Sequence, residues 1–372
     1  MEIINGSRFA LDAHMATDAQ GKRFLVAQAK ATYRIPPPGQ QYPRLADPQL
    51  PLLNADVFEG EPGESGLIFE ADHAWFKPRC DVLVHASAHA PAGQAVKQLD
   101  VGFRVGRCLR TARVIGNRLW RRGLLGLQPS EPEPFTSMPI SYSRAFGGTR
   151  MHEGLPQPYA ANPIGCGFGG APGDTSLVDT PVPNIEEPGT PIDNPRERYR
   201  PLSFGPLGRS WAGRVEHGGT YDQRWIDETF PLLPEDFDPR FFQAAPVEQQ
   251  IDYPTGGEEV AFIHLHRSRP QLRFVLPQLK LSMVVLDQQR KVHKIEPVVD
   301  TLSFDLDAEL FTVVWRARHP LKRSLAEVDA LAAGSLCKRW WQARVLGTND
   351  CGCGGNETKD EDQAPVAEIV VA

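Results

Sequence analysis

The chain has 372 residues, 41% of them hydrophobic and 23% charged, a balance that excludes disorder throughout and allows one large domain or two moderate ones. A formal net charge of −6 argues against the basic face that nucleic acid or an anionic membrane surface would require. The first residues lack the basic start and apolar run of a secretory leader, and no stretch approaches the roughly 20 apolar residues of a membrane span. Six cysteines in such a length suit a reducing compartment better than a disulfide framework, so the expected location is the cytoplasm.

From Leu25 the chain alternates. Leu25, Ala27, Ala29, Ala31, Tyr33 and Ile35 form one apolar set, with Gln28, Lys30, Thr32 and Arg34 between them. A period of two predicts a strand with the first set on a core face and the second toward solvent. Pro36-Pro-Pro-Gly39 ends it, because proline cannot donate to a ladder. The alternation returns at Leu99, Val101, Phe103 and Val105, with shorter candidates at Gly66–Glu70, Asp81–Ser87 and Leu109–Ile115.

Twenty of the 34 prolines lie between Gly126 and Thr255, which leaves no space for long helices or central strands. The same span carries Phe135, Tyr142, Phe146, Phe168, Trp211, Tyr221, Trp225, Phe237, Phe241 and Phe242. A disordered linker would lack such aromatics, so the expectation is ordered loops pinned by aromatic anchors.

Strands resume at Glu258–Leu265, Gln271–Leu276, Leu281–Leu286, Val298–Asp305 and Leu310–Arg316. Ser324 and Glu327 then read as a capping box, and Leu325, Val328, Leu331, Ala332 and Leu336 recur at helical spacing, predicting one helix over about 324–346 that stops at Gly347. Residues 348–372 read as an acidic, mobile tail. The expected architecture is mainly β: two packed, sandwich-like sheets in a single domain over 1–347, with the irregular proline- and glycine-rich middle at 126–255 and the C-terminal helix.

Motifs of known chemistry are few. Gly165-Cys-Gly-Phe-Gly-Gly170 spells a dinucleotide fingerprint, but Asn162-Pro163 before it and Ala171-Pro-Gly173 after it deny it the strand and helix that would hold a pyrophosphate. His264 with His266, and His85 with His89, would each share a strand face, yet neither pair has the further ligands of a zinc site. Cys351 and Cys353 could chelate a soft metal or form a labile disulfide, with a pair of free thiols the plainer reading. Glu186, Glu187, Asp222, Asp236 and Asp238 could supply a hydrolase's two carboxylates, with Glu186 and Asp222 the pair to test, or simply fix turns. No nucleophile elbow or helical zinc motif occurs, so no catalytic residue, cofactor or metal is expected.

A run of short motifs is more telling in its order than in any one piece. It comprises Lys77-Pro78 with Asp81-Val82, Ala88-His-Ala-Pro91, Pro139-Ile-Ser-Tyr-Ser-Arg-Ala-Phe-Gly-Gly148, Asn162-Pro-Ile-Gly-Cys-Gly-Phe168 and Pro183-Asn-Ile-Glu186. It continues with Gly219-Thr-Tyr-Asp222 and Trp225, Leu233-Pro-Glu-Asp-Phe-Asp238, Phe241-Phe-Gln-Ala-Ala-Pro246 with Gln249, Asp300-Thr301 and Trp315-Arg316. The run resembles domain-of-unknown-function family 2169, whose members are linked to bacterial type VI secretion. The resemblance implies a non-enzymatic chaperone or adaptor that loads a toxic effector, often one with a PAAR-type tip, onto the VgrG spike. A carbohydrate-active hydrolase and a structural part of the secretion apparatus remain the alternatives. Aromatic side chains on proline-rich loops would suit a partner-binding role, since they lose little conformational entropy on binding. The candidates are Phe146, Phe168, Tyr221, Trp225, Phe241 and Phe242, but since large apolar side chains are mostly buried, the core is the favoured place for Tyr221, Trp225, Phe241 and Phe242.

Overall fold

In the computed structural model, which describes residues 1–124, 126–169 and 177–347, alternation becomes sheet wherever the apolar set finds a facing layer. The central sheet has seven strands. Ala10–Thr17, Arg23–Arg34, Leu310–Leu321, Val298–Asp305, Cys80–His85 and Gln250–Ile251 lie side by side, and Arg44–Leu45 adds to Arg23–Arg34. All neighbours are antiparallel except Val298–Asp305 and Cys80–His85, which run parallel with Thr301 opposite Asp81. A five-stranded antiparallel sheet of Ile185–Glu186, Cys108–Ile115, Gln98–Val105, Glu259–Ile263 and Gln271–Val275 supplies the facing layer.

One core fills the space between them. Leu25, Ala27, Ala29, Ala31 and Tyr33 meet Val101, Phe103, Val105, Phe262 and Phe274, with Phe304 and Phe311 at the centre. The Phe262, Phe274, Phe304 and Phe311 rings lie 5.4–6.4 Å apart in tilted, edge-on and stacked pairs, arrangements that suit the charge distribution of aromatic rings. A third sheet, Glu2–Gly6, Val328–Gly334, Met283–Asp287 and Val292–Ile295, extends this core through Met283, Val285 and Leu331. The chain is thus mainly β and sandwich-like, as its alternation predicts.

Two readings of the sequence are corrected. The Ser324–Glu327 capping box forms, but it caps a single 3-10 turn, and Val328–Gly334 is a strand rather than helix. Both faces of that strand are buried, Leu331 and Ala333 against the main core and Ala330 and Ala332 against Trp341 and Leu286, so its apolar run is continuous and imitates helical spacing. The helix is confined to Lys338–Leu346. The second correction concerns the other face of Arg23–Arg34. Gln28, Lys30 and Thr32 are buried, not solvated, because loops from elsewhere in the chain cover that face. The Cys351–Cys353 segment and the rest of the tail lie outside the described residues.

Candidate functional site

The loops that cover the polar face of the seven-stranded sheet are fastened by charge. Asp81, fully buried on Cys80–His85, accepts four hydrogen bonds: Lys77 Nζ at 2.8 Å, Gln243 Nε2 at 2.6 Å, and the backbone N–H groups of Ala244 and Ala245 at 2.9 and 3.2 Å. Those four use its full acceptor capacity. Lys77 spends its three donors on Asp81, Glu70 at 3.3 Å and Thr301 Oγ1 at 3.3 Å. Glu70 Oε1 in turn receives Arg214, also fully buried, at 2.6 Å, and Arg209 at 3.1 Å. Burial opposes the charge of Glu70, but Lys77, Arg214 and Arg209 outweigh it and hold this carboxyl below its ordinary range.

Arg214 is on the short helix Ala212–Val215 and also donates to Leu207 O and Phe241 O. Arg214 and Gln243–Ala245 are the two ends of one excursion of the chain. The chain Arg214–Glu70–Lys77–Asp81–Gln243 therefore ties both ends of that excursion to one central strand. Beside it Arg316 bonds Asp300, Ala74 O at 2.7 Å and Asp72 O at 2.9 Å, and Lys30 bonds Asp72 at 2.8 Å. The quoted motif residues Lys77, Asp81, Gln243, Gln249, Asp300, Thr301 and Arg316 all belong to this fastening or border it. Sequence reading found them as motif letters and missed Glu70 and Arg214, which no local pattern marks. A cavity of about 340 Å³ opens over the same face. Its lining residues Lys30, Glu70, Asp72 and Lys77 are already paired with one another, and the rest of the wall mixes apolar groups such as Leu50, Phe69 and Phe311 with Ser303, Asp305 and Thr312.

Between the two fastened ends the excursion projects outward as an aromatic knob. Asp222 caps the helix Gln223–Glu228 by accepting from Trp225 N–H at 2.9 Å, and Trp225 Nε1 donates to Leu232 O at 2.9 Å. Tyr221 and Phe230 meet the half-buried Trp225 edge to face, with ring centroids 4.7 and 5.6 Å away. At the base, Asp236 accepts from Thr220 N–H and hydroxyl, and Gly219 takes φ +83° close under Pro234, a turn that would strain any side chain. Apolar side chains stay exposed on the knob beside the Arg224–Glu228 ion pair: Tyr221 is 55% exposed, Ile226 54% and Phe230 64%. A six-residue helix cannot bury those groups against itself. They remain as an exposed apolar cluster.

The six aromatics named from sequence therefore separate. Phe146 and Phe168 are buried in a second core with Trp120, Val182 and Tyr199, so they pin the middle region and offer no face to a partner. Phe241 and Phe242 are half-buried at the knob's base, where Phe241 lies under the Arg214 guanidinium at 5.5 Å and Phe242 meets Trp75 at 6.2 Å. Tyr221 and Trp225 alone sit in the exposed cluster. Phe230 joins them through its ring contact with Trp225, and it was missed, as was the exposed Ile226 on a helix too short to bury it.

The remaining sequence candidates have structural bonds. Glu186 is buried, bonding Arg118 at 3.0 Å and Ile192 N–H at 2.5 Å, and Asp222 is the helix cap. Gly165 and Gly167 are pressed against Asn162 and Pro183, so their lack of a side chain serves close packing; the rest of that glycine motif lies outside the described residues. His264 follows the end of its strand at φ +55° and bonds Asp100 O, while His266 is buried against Arg269, so the two do not share a strand face. Among the described residues no three His, Cys, Asp or Glu side chains gather as metal ligands, and no helix is long and apolar enough to cross a membrane.

No curated protein and no solved structure matches the chain. A family model does, over residues 20–316, the span that holds the sandwich core, the charged fastening and the knob. The chain belongs to that family, described as "Uncharacterized protein conserved in bacteria (DUF2169)".

Proposed function

We propose that this protein is a non-enzymatic chaperone or adaptor that binds a type VI secretion effector and helps load it onto the VgrG spike with its PAAR-type tip. The observation that carries the binding role is the aromatic knob, an exposed apolar cluster presented on a base fastened by buried charge. A loading factor must hold a client without reacting with it and then release it. Rigid aromatics meet the first need, because they add contact area with little side-chain entropy left to lose. The modest size of the cluster meets the second, since small interfaces are the readily reversible ones. The secretion system itself is taken from the resemblance of the motif run.

The test is affinity capture of the tagged protein from its secreting host, beside a Tyr221→Ala/Ile226→Ser variant. An effector or spike protein recovered with the parent and depleted with the variant is the expected outcome. Recovery of neither by the parent would overturn the reading, and equal recovery by the variant would remove the knob from it.

A further inference from the structure

The five-stranded sheet ends in an unfinished edge. On Gln271–Val275 the backbone groups of Leu272 and Phe274 face Glu259–Ile263, as the pairs Phe262–Leu272 and Val260–Phe274 and the bonds His264 N–H to Pro270 O and Leu276 N–H to Glu258 O show. With a period of two, Gln271, Arg273 and Val275 must point the other way. Val275 N–H does so and is taken by Gln41 O. Gln271 and Arg273 have no such partner among the described residues, and each leaves an N–H and a C=O turned outward.

The side chains beside that edge are also unsaturated. The outer face of this sheet carries a groove of about 650 Å³, lined by Leu109, Ala261 and Ile263 among others. Its acidic residues are already matched across strands, Asp100 by Arg113 at 2.7 Å and Glu259 by Arg104 at 2.6 Å. Arg273, exposed and directly across from Ala261, has no carboxylate partner among the described residues. The face thus holds one surplus cation at the edge, next to an apolar trough.

We propose that the Gln271–Val275 edge is a second binding site, which takes an extended segment of the client as an added strand, with an acidic side chain over Arg273. Strand addition uses the free backbone groups for affinity and alternate side chains for selection. A carboxylate opposite Arg273 makes a favourable cross-strand pair and a lysine there a repulsive one. The site rests on the client-binding reading for its occupant but not on the knob for its geometry.

The probes are fluorescein-labelled nonapeptides that alternate valine with glutamate or with lysine, titrated into the full chain by fluorescence anisotropy. The glutamate peptide is expected to bind about ten-fold more tightly, and Arg273→Glu to reverse the order. Two further glutamate peptides, N-methylated at alternate residues in opposite phases, leave the protein untouched. One phase blocks the edge-facing amides and should abolish binding, while the other should retain it. Equal binding of both phases, or no charge preference, overturns the proposal. So does a dimer in light scattering that Arg273→Glu dissociates, since the occupant would then be a second copy. If the peptides behave as expected and host capture yields no effector, the secretion role falls and the edge site stands. Effector captured equally by parent and Arg273→Glu, with peptides that show no phase or charge dependence, would leave the role standing without this site.

Discussion

Two polar-to-apolar boundaries in this protein are built in opposite ways. On the seven-stranded sheet, charged groups are buried and every member of the Arg214–Glu70–Lys77–Asp81 chain has its partners. On the knob a few residues away, apolar groups are exposed and Tyr221, Ile226 and Phe230 have no cover. The first arrangement gains geometry at the expense of desolvation, since a buried ion pair seldom adds much net stability but fixes where its partners sit. The second gains a sticky surface at the expense of solubility. Together they teach how a loop-rich middle can present a surface with definite shape: the fastening removes freedom from the two ends, and the knob keeps its apolar area for something else.

The comparison breaks first if the fastening is not what holds the ends. Asp81→Ala would leave Lys77 without its nearest carboxylate and the Gln243 amide and the Ala244 and Ala245 N–H groups without acceptors, and should lower unfolding stability by about 3–5 kcal/mol in urea denaturation. Arg214→Ala removes the nearest of the three cations on Glu70 and the donors to Leu207 O and Phe241 O, and should cost about 2–4 kcal/mol. It should also speed amide exchange across Thr220–Asp236. A loss below about 1 kcal/mol in both variants would mean that packing alone seats the excursion.

A smaller effect tests whether geometry or mere charge is at stake. Arg316 spreads three nitrogens over Asp300, Ala74 O and Asp72 O. A lysine keeps the charge but cannot span that fork, so Arg316→Lys should cost about 1–3 kcal/mol in the same assay. A neutral result would show that this corner of the polar face needs only a cation.

The contrast also explains what the sequence could and could not reveal. Strands such as Arg23–Arg34 and Val298–Asp305 were legible because their core face alternates, a signal carried by neighbours two residues apart. The fate of the other face was not legible. Lys30 and Gln28 bond Asp72, more than 40 residues away, and Thr32 bonds Gln49, so nothing nearby says that they are covered. Val328–Gly334 misled for the converse reason, since burial on both faces erased the alternation. The aromatics show the limit for the site: Phe146 and Tyr221 both belong to the aromatic-rich span 126–255, and only the three-dimensional neighbours decide that one is core and the other surface.

A next prediction uses acid to probe the rim of the polar face. His14 is held down to about 4 by burial first, then by His73 and Arg316, while Asp12 pulls the other way. The unfolded chain takes up this proton near pH 6.5 and the folded chain only near 4, so stability is present above 6.5 and is lost as pH falls through that window. The imidazole is partly exposed, so screening brings the loss to about 1 kcal/mol. Burial also lowers His266 and His319, which adds loss of the same sign. His14→Gln should therefore flatten, without abolishing, the fall in denaturation midpoint between pH 6.5 and 4. An unchanged slope would place His14 in solvent and the rim of the polar face with it.

The smallest expected effect is the most informative about the knob. If its apolar residues are there for a partner, removing them should leave the fold indifferent. Tyr221 and Ile226 are more than half exposed, and the bonds that shape the turn use Asp222, Trp225 Nε1 and Asp236 instead. Tyr221→Ala with Ile226→Ser should then change stability by no more than about 0.5 kcal/mol. Solubility should rise, measured as the concentration at which light scattering sets in, because the exposed apolar area falls. A loss above about 2 kcal/mol would show that the two side chains support the knob from within. The exposed cluster would then be structural, and the search for a partner surface would move to the open edge at Gln271–Val275.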